Sequence, residues 1–194
     1  MDDRQATPEV MNENDVIDLL VRQHAMIQEL FAEVRGAVGD EREEAFQRLV
    51  RLLAVHETAE EEIVHPYARL LAEDGGAVVD RRLDEEKHAK MLLTRLERAG
   101  TGHPDFAREF LELRNVVLAH AWAEERDEFP LLLERTNPAE RRAMAAGVRA
   151  AEALAPTHPH PGVESAARNL LLGPTAALID RARDVVRMVM NKQV

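Results

Sequence analysis

Among its 194 residues the chain has no cysteine, one tryptophan, one tyrosine and five phenylalanines. Without thiols it can build no disulfide, no zinc–thiolate site and no iron–sulfur cluster. Positive charge is also short: 25 Lys and Arg stand against 36 Asp and Glu, a net charge of −11. Such a balance argues against a nucleic-acid partner, which attracts basic surfaces. No run approaches the ~20 apolar residues needed to span a bilayer. The first ten residues, MDDRQATPEV, lack the apolar stretch of a secretory signal. A cytoplasmic protein with no membrane partner is the expectation.

Aromatic and β-branched residues are scarce and nothing alternates with period two, which leaves little basis for a sheet. Ala, Leu, Glu and Arg dominate, and all four favour helix. The fold class expected is all-α, in one domain or one domain plus a tail.

Residues 1–13 read as a loose polar arm and 14–135 as a bundle of four helices. The first helix starts at Asn14 or Asp15 and runs to Gly36, with Ile17, Leu20, His24, Ile27, Phe31 and Val34 in its apolar stripe. The second starts near Asp40, carries Leu49, Leu53, His56, Glu60 and Ile63, and is bent or ended by Pro66. Gly75-Gly76 marks a turn, after which Val79, Leu83, His88, Met91, Leu92 and Leu96 define a third helix that stops at Gly100. The fourth begins at His103-Pro104-Asp105 and holds Phe106, Phe110, Leu113, Val117, His120 and Glu124 up to Pro130. Residues 136–194 form an extension: a short helix over about 139–153 started by Pro138, a proline-rich strap at 156–162, and a last amphipathic helix after Gly173-Pro174.

His24, His56, His88 and His120 stand 32 residues apart, and each falls in the stripe of its helix. In an up-down-up-down bundle of equal helices that interval returns each histidine to the same height. His56/Glu60 and His120/Glu124 are i, i+4 pairs, about 40° apart on one helical face. Four imidazoles and two carboxylates would then converge in the core, where carboxylates need cations to offset their burial. Imidazole with carboxylate suits iron and its first-row neighbours, and mid-bundle is where such centres sit. An isolated histidine on an apolar stripe is ordinarily a hydrogen-bonded core residue, but four such histidines with two carboxylates one turn along are not independent accidents.

A different di-iron pattern, Glu-x-x-His, occurs at Glu62/His65 and Glu85/His88. His65 lies about 180° around a regular helix from His56 and precedes a proline, so it is expected to face solvent. Trp122 is expected to face outward and pack against the final helices, Tyr67 to pack at the bundle end, and His103 to lie on the surface. His158 and His160 fit a polar strap better than a second metal site, and Arg181, Arg183 and Arg187 fit docking of the last helix better than membrane binding.

His24, His56-x-x-x-Glu60, His88 and His120-x-x-x-Glu124, in that order, are similar to the pattern of the hemerythrin or HHE cation-binding family. The strings HETAEEEIVHP and HAWAEERDEFP resemble its bacterial stand-alone branch. The resemblance covers about residues 14–135. It implies an antiparallel four-helix bundle holding two iron ions bridged by two carboxylates and an oxo or hydroxo group. His24, His56, His88 and His120 would be terminal ligands and Glu60 and Glu124 the bridges. Oxygen carriers of this family place two histidines one turn apart on the third helix, whereas the position four after His88 is Leu92. They also use His-x-x-x-x-Asp on the fourth. Two octahedral ions offer about twelve positions, of which this set fills about ten, unless Glu57 adds a monodentate ligand. A more open centre points to reaction with hydrogen peroxide, O2 or nitric oxide in oxidative or nitrosative stress, with catalase-like or peroxide- or NO-reducing activity. The alternatives are reversible O2 binding, or iron and oxygen sensing through metal-coupled folding. The chain is expected to act as a monomer or homodimer.

Overall fold

The computed structural model describes residues 14–71 and 75–153. The arm at 1–13, the strap at 156–162, His158, His160 and the last helix lie outside the described residues. The described chain is helical throughout. Asp15 caps α1 (Val16–Gly36) by accepting from the Ile17 amide. Then come α2 (Gly39–Ala59), a π-helical turn (Glu60–Val64), α3 (His65–Leu71) and α4 (Gly75–Ala99). Gly100, at φ 77°, adopts the left-handed conformation that ends α4. Beyond it lie α5 (Phe106–Ala123), a second π-helical turn (Glu124–Glu128), α6 (Phe129–Arg135) and α7 (Pro138–Glu152). Asn137 and Glu140 form a reciprocal capping box on α7, with Pro138 in its first turn.

The core falls into two apolar layers. A distal layer gathers Ile27, Phe31, Phe46, Leu49, Leu53, Leu92, Leu96, Phe106, Phe110 and Val117. A proximal layer gathers Leu20, Ile63, Val64, Tyr67, Val79, Phe129, Leu132, Met144 and Val148. Going along the chain, α1 passes from proximal to distal, α2 from distal to proximal, α4 from proximal to distal and α5 from distal to proximal. This is an antiparallel up-down-up-down bundle, with α7 laid across α1, α2 and the first π turn. On every helix the polar residues lie between the two layers: His24 between Leu20 and Ile27, His56 and Glu60 between Leu53 and Ile63, Glu86 between Val79 and Leu92, His120 and Glu124 between Val117 and Phe129.

Pro66 and Pro130 do not end the helical run; α3 and α6 continue through them. Proline has no amide hydrogen, and its ring collides with the carbonyl four residues back in a regular helix. The wide turns relieve that collision. The His65 amide bonds the Glu60 carbonyl and the Phe129 amide bonds the Glu124 carbonyl, each five residues back. Among the described residues no helix is long and apolar enough to cross a membrane.

Candidate metal centre

Between the two layers lie two four-residue groups of side chains whose ligand atoms are within 4.8 Å of one another, and beside them a three-residue group of His65, Glu124 and Glu128. His24, His56, Glu60 and Glu124 form the first, and Glu60, Glu86, His120 and Glu124 the second. Glu60 and Glu124 belong to both. All six residues are buried, and Glu60, Glu86 and Glu124 are fully so.

The three imidazoles share one orientation. His24 Nδ1 donates to Glu125 at 2.8 Å, His56 Nδ1 to the Gln23 side-chain carbonyl at 2.7 Å, and His120 Nδ1 to Glu85 at 3.1 Å. Each Nε2 therefore points inward, where the ring presents a lone pair once it is unprotonated, an orientation set by the partner on the other nitrogen. His24 Nε2 lies 3.3 Å from Glu124 and His120 Nε2 3.4 Å from the same carboxylate, without hydrogen-bond geometry. His24 Nε2, His120 Nε2 and both oxygens of Glu60 and of Glu124 are buried with no hydrogen-bond partner among the described residues. Buried polar atoms are almost always paired, so six such atoms spread over two adjoining groups fit cations as their missing partners. A face-to-face contact with Phe129, ring centroids 5.7 Å apart, closes the outer side of His24.

The charges agree with that fit. Burial pushes the His56 imidazolium down to about 3, and neighbouring His24 adds to the effect, so His56 is neutral and ready to ligate. Burial and then the Glu124 carboxylate push Glu60 well above the usual carboxylate range. Burial acts against the Glu124 carboxylate too, yet His120 and His24 outweigh it and hold Glu124 down at about 2. At His120 burial opposes the imidazolium, but Glu124, Glu85 and Glu86 overcome it and hold the ring up to about 9. Metal-free, the pocket keeps one shared carboxylate ionised and one protonated; cations would let both ionise.

The sequence-predicted residues divide clearly. His24, His56, Glu60, His120 and Glu124 come together. His88 does not: it is exposed on α4, and Glu86, about 200° around that helix, takes the inward place. The inward stripe of α4 contains Arg82, Glu86 and Lys90, which disguise it as a polar face, while Met91 is on the outside. Glu57 is buried but turns to Lys90, 3.9 Å away, and belongs to neither group. Burial pushes Glu57 up to about 7 and Glu61 up to about 8, while Lys90, ringed by Glu57, Glu61 and Glu86, is held charged despite its own burial.

His65, expected to face solvent, is 2% exposed and bonds Glu128 at 2.9 Å through Nδ1 and Glu86 at 2.5 Å through Nε2. The π turn is the reason. Nine residues past His56 means about 180° on a regular helix, but absorbing one residue in a wide turn reduces it to about 80°. Glu62, of the Glu62/His65 pair, is buried as well. The signal available in the sequence was the pair of prolines, each six residues past the shared glutamate. Trp122 is 59% exposed, with the Arg126 guanidinium 4.3 Å from its ring centre. Tyr67 is buried in the proximal layer and His103 is exposed.

An antiparallel helical bundle with a buried His/Glu cluster at mid-height defines a cation-binding bundle protein. A profile described as the hemerythrin HHE cation binding domain matches residues 15–132, and the chain belongs to that family. The chain is similar to a solved HHE cation binding domain-containing protein from Mycobacterium kansasii, with a TM-score of 0.62 and 23% identity over 87% of this chain and 98% of that one. At this identity the likeness speaks for the fold. It is also 25% identical over 143 residues to a DNA nickase of Nostoc sp., covering 73% of this chain but 39% of that protein.

Proposed function

We propose that the protein holds two iron ions between the core layers and reacts with small oxidants, hydrogen peroxide, O2 or nitric oxide, in defence against oxidative or nitrosative stress. One observation carries the proposal: two donor groups share Glu60 and Glu124. His24 and His56 complete one position, His120 and Glu86 the other, and two carboxylates common to both are what a bridged pair requires. Nitrogen and carboxylate donors without sulfur suit iron and its neighbours.

Iron held by His24, His56, Glu60, Glu86, His120 and Glu124 would supply the electron reservoir for reducing one peroxide to two waters as a second is oxidised to O2, with two protons passing between them. The protein's share is position and exclusion of water. Gln23, Glu125 and Glu85 fix the imidazoles, and the apolar layers keep bulk solvent off the pair. The third helix contributes Glu86 and, one turn on, the charged Lys90, and its His88 lies outside the pocket. That leaves three imidazoles at the centre and favours turnover over reversible O2 carriage.

The test is iron content and the visible spectrum of aerobically purified protein, followed by peroxide addition at an oxygen electrode. About two irons per chain, an oxo-bridge absorption band and O2 release are expected. Two irons with no peroxide loss would move the function to binding or sensing; failure to bind iron on reconstitution would overturn the proposal.

A further inference from the structure

The molecule carries a cleft of about 340 Å³ between α3 and α4 that the metal cluster does not use. Pro66, Leu70, Val79 and Leu83 line it with apolar surface, Arg69, paired with Asp80, adds a guanidinium, and Glu61 and His65 form its polar inner wall. That wall is one side chain thick. His65 faces the cleft and also touches Glu86 at 2.5 Å, and its ring and Glu124 both belong to a group of ligand atoms lying within 4.8 Å of one another. Among the described residues, packed elements cover several other sides of the cluster. The proximal and distal layers seal the pocket above and below, Phe129 stacks on His24, and α7 covers α1 and α2. A second hollow, of about 260 Å³ and lined by Val34, Phe106, Phe110 and Leu111, opens at the far end of the distal layer. Phe31 and Phe110, ring centres 5.3 Å apart, belong to the layer that separates it from the cluster.

We infer that the α3–α4 cleft is the route by which a small uncharged, hydrogen-bonding molecule reaches the metal pair, with His65 as the side chain it must pass. This rests on the proposed function and names the class of its substrate: a peroxide-sized neutral solute. The apolar walls accept a small molecule that sheds little hydration. The inner wall then offers it an imidazole and a carboxyl group, His65 and Glu61, as hydrogen-bonding partners. The first π turn creates the route, because it rotates His65 from the outside of the helix to the inner end of the cleft.

Narrowing a passage slows entry and exit alike and leaves affinity unchanged, whereas altering the centre changes affinity. Leu83→Trp narrows the cleft and Leu83→Ala widens it; Leu70→Trp, at a mouth position 78% exposed, narrows it without touching the core. Leu111→Trp in the far hollow is the control. The readout is anaerobic stopped-flow binding of nitric oxide, an uncharged probe, to ferrous-loaded protein. A tenfold or greater fall in both association and dissociation rates is expected for a tryptophan in the cleft, with Kd unchanged. A rise is expected for Leu83→Ala and no change for the control. In peroxide turnover the cleft tryptophans should lower kcat/KM more than kcat. Unaltered nitric oxide rates in both tryptophan variants and in Leu83→Ala would overturn the route. Normal cleft-dependent rates in a protein that leaves peroxide intact would support the route and sink the proposed function alone.

Discussion

At the scale of single residues, the hydrogen bond on the outer nitrogen of each histidine does as much as the nitrogen that faces inward. Gln23 accepts from His56 and donates to Glu152 in α7, so one amide fixes the His56 tautomer and ties it to a neighbouring helix. Losing such an outer partner typically lowers metal affinity by about 10–100-fold. Gln23→Ala should do so in a competitive chelator titration while far-UV circular dichroism stays unchanged; wild-type affinity would mean that packing alone holds the ring. Glu124→Gln removes a carboxylate common to both donor groups, and metal analysis should then find one iron or fewer per chain. Five of the residues brought together were legible in the sequence, because i, i+4 pairs and apolar flanks fix direction on a regular helix. Glu86 was not. Arg82, Glu86 and Lys90 make the inner face of α4 polar, so His88, at the expected interval, drew attention to the wrong side.

At the scale of elements, the two π turns follow from proline. Each shared glutamate opens a wide turn and each turn ends just before a proline, so the repeat in the molecule is His-x-x-x-Glu-x-x-x-x-x-Pro on α2 and again on α5. Helical periodicity assumes ~100° per residue, and one extra residue in a turn shifts the facing of the residues beyond it by about that angle. This is why His65 was misplaced while His56 was not. Pro66→Ala removes the steric reason for the turn and restores a bondable amide. The segment should relax toward regular helix, and His65, whose imidazolium Glu128 and Glu86 hold well above its ordinary range against burial, should titrate by NMR near ~6.5. A retained high value would show that the turn is held by the polar contacts instead. Docking of α7 has its own signature. Burial raises the Glu152 carboxyl, with Gln23 and Arg149 opposing. A carboxyl raised in the folded state favours folding below its unfolded value, and that contribution is lost as pH rises through the folded value. Glu152→Gln keeps the acceptor for Gln23 without the charge. Its Tm should exceed that of the wild type at pH 8, and the gap should close by pH 4.

At the scale of the whole molecule, a band of ionisable side chains lies across the middle of an otherwise apolar bundle. Direction and order of the four main helices, and the stripes of α1, α2 and α5, were readable because apolar layers repeat along them, whereas the stripe of α4 was placed partly on the wrong side. The band itself was half readable, since buried charges look like surface in a sequence. Such a band costs stability unless each charge has a partner. His65 between Glu86 and Glu128, and Lys90 among Glu57, Glu61 and Glu86, supply part of the compensation. Around Glu60 and Glu124 the compensation is left to metal. Stability should therefore be linked to loading in a way that core packing is not. A ligand present at about 1,000 times its Kd stabilises by about 4 kcal/mol, which for a chain of this size corresponds to a rise in Tm of roughly 8–16 °C. Phe110→Ala, in the distal layer, should cost about 3–5 kcal/mol in apo and loaded protein alike. Glu60→Gln should behave in the opposite sense. It mimics the protonated carboxyl that burial and Glu124 favour in the metal-free pocket, so calorimetry should find the apo protein at least as stable as wild type and the iron-dependent rise in Tm largely gone. Equal iron-dependent rises in Glu60→Gln and wild type would show that the cation sits elsewhere in the bundle.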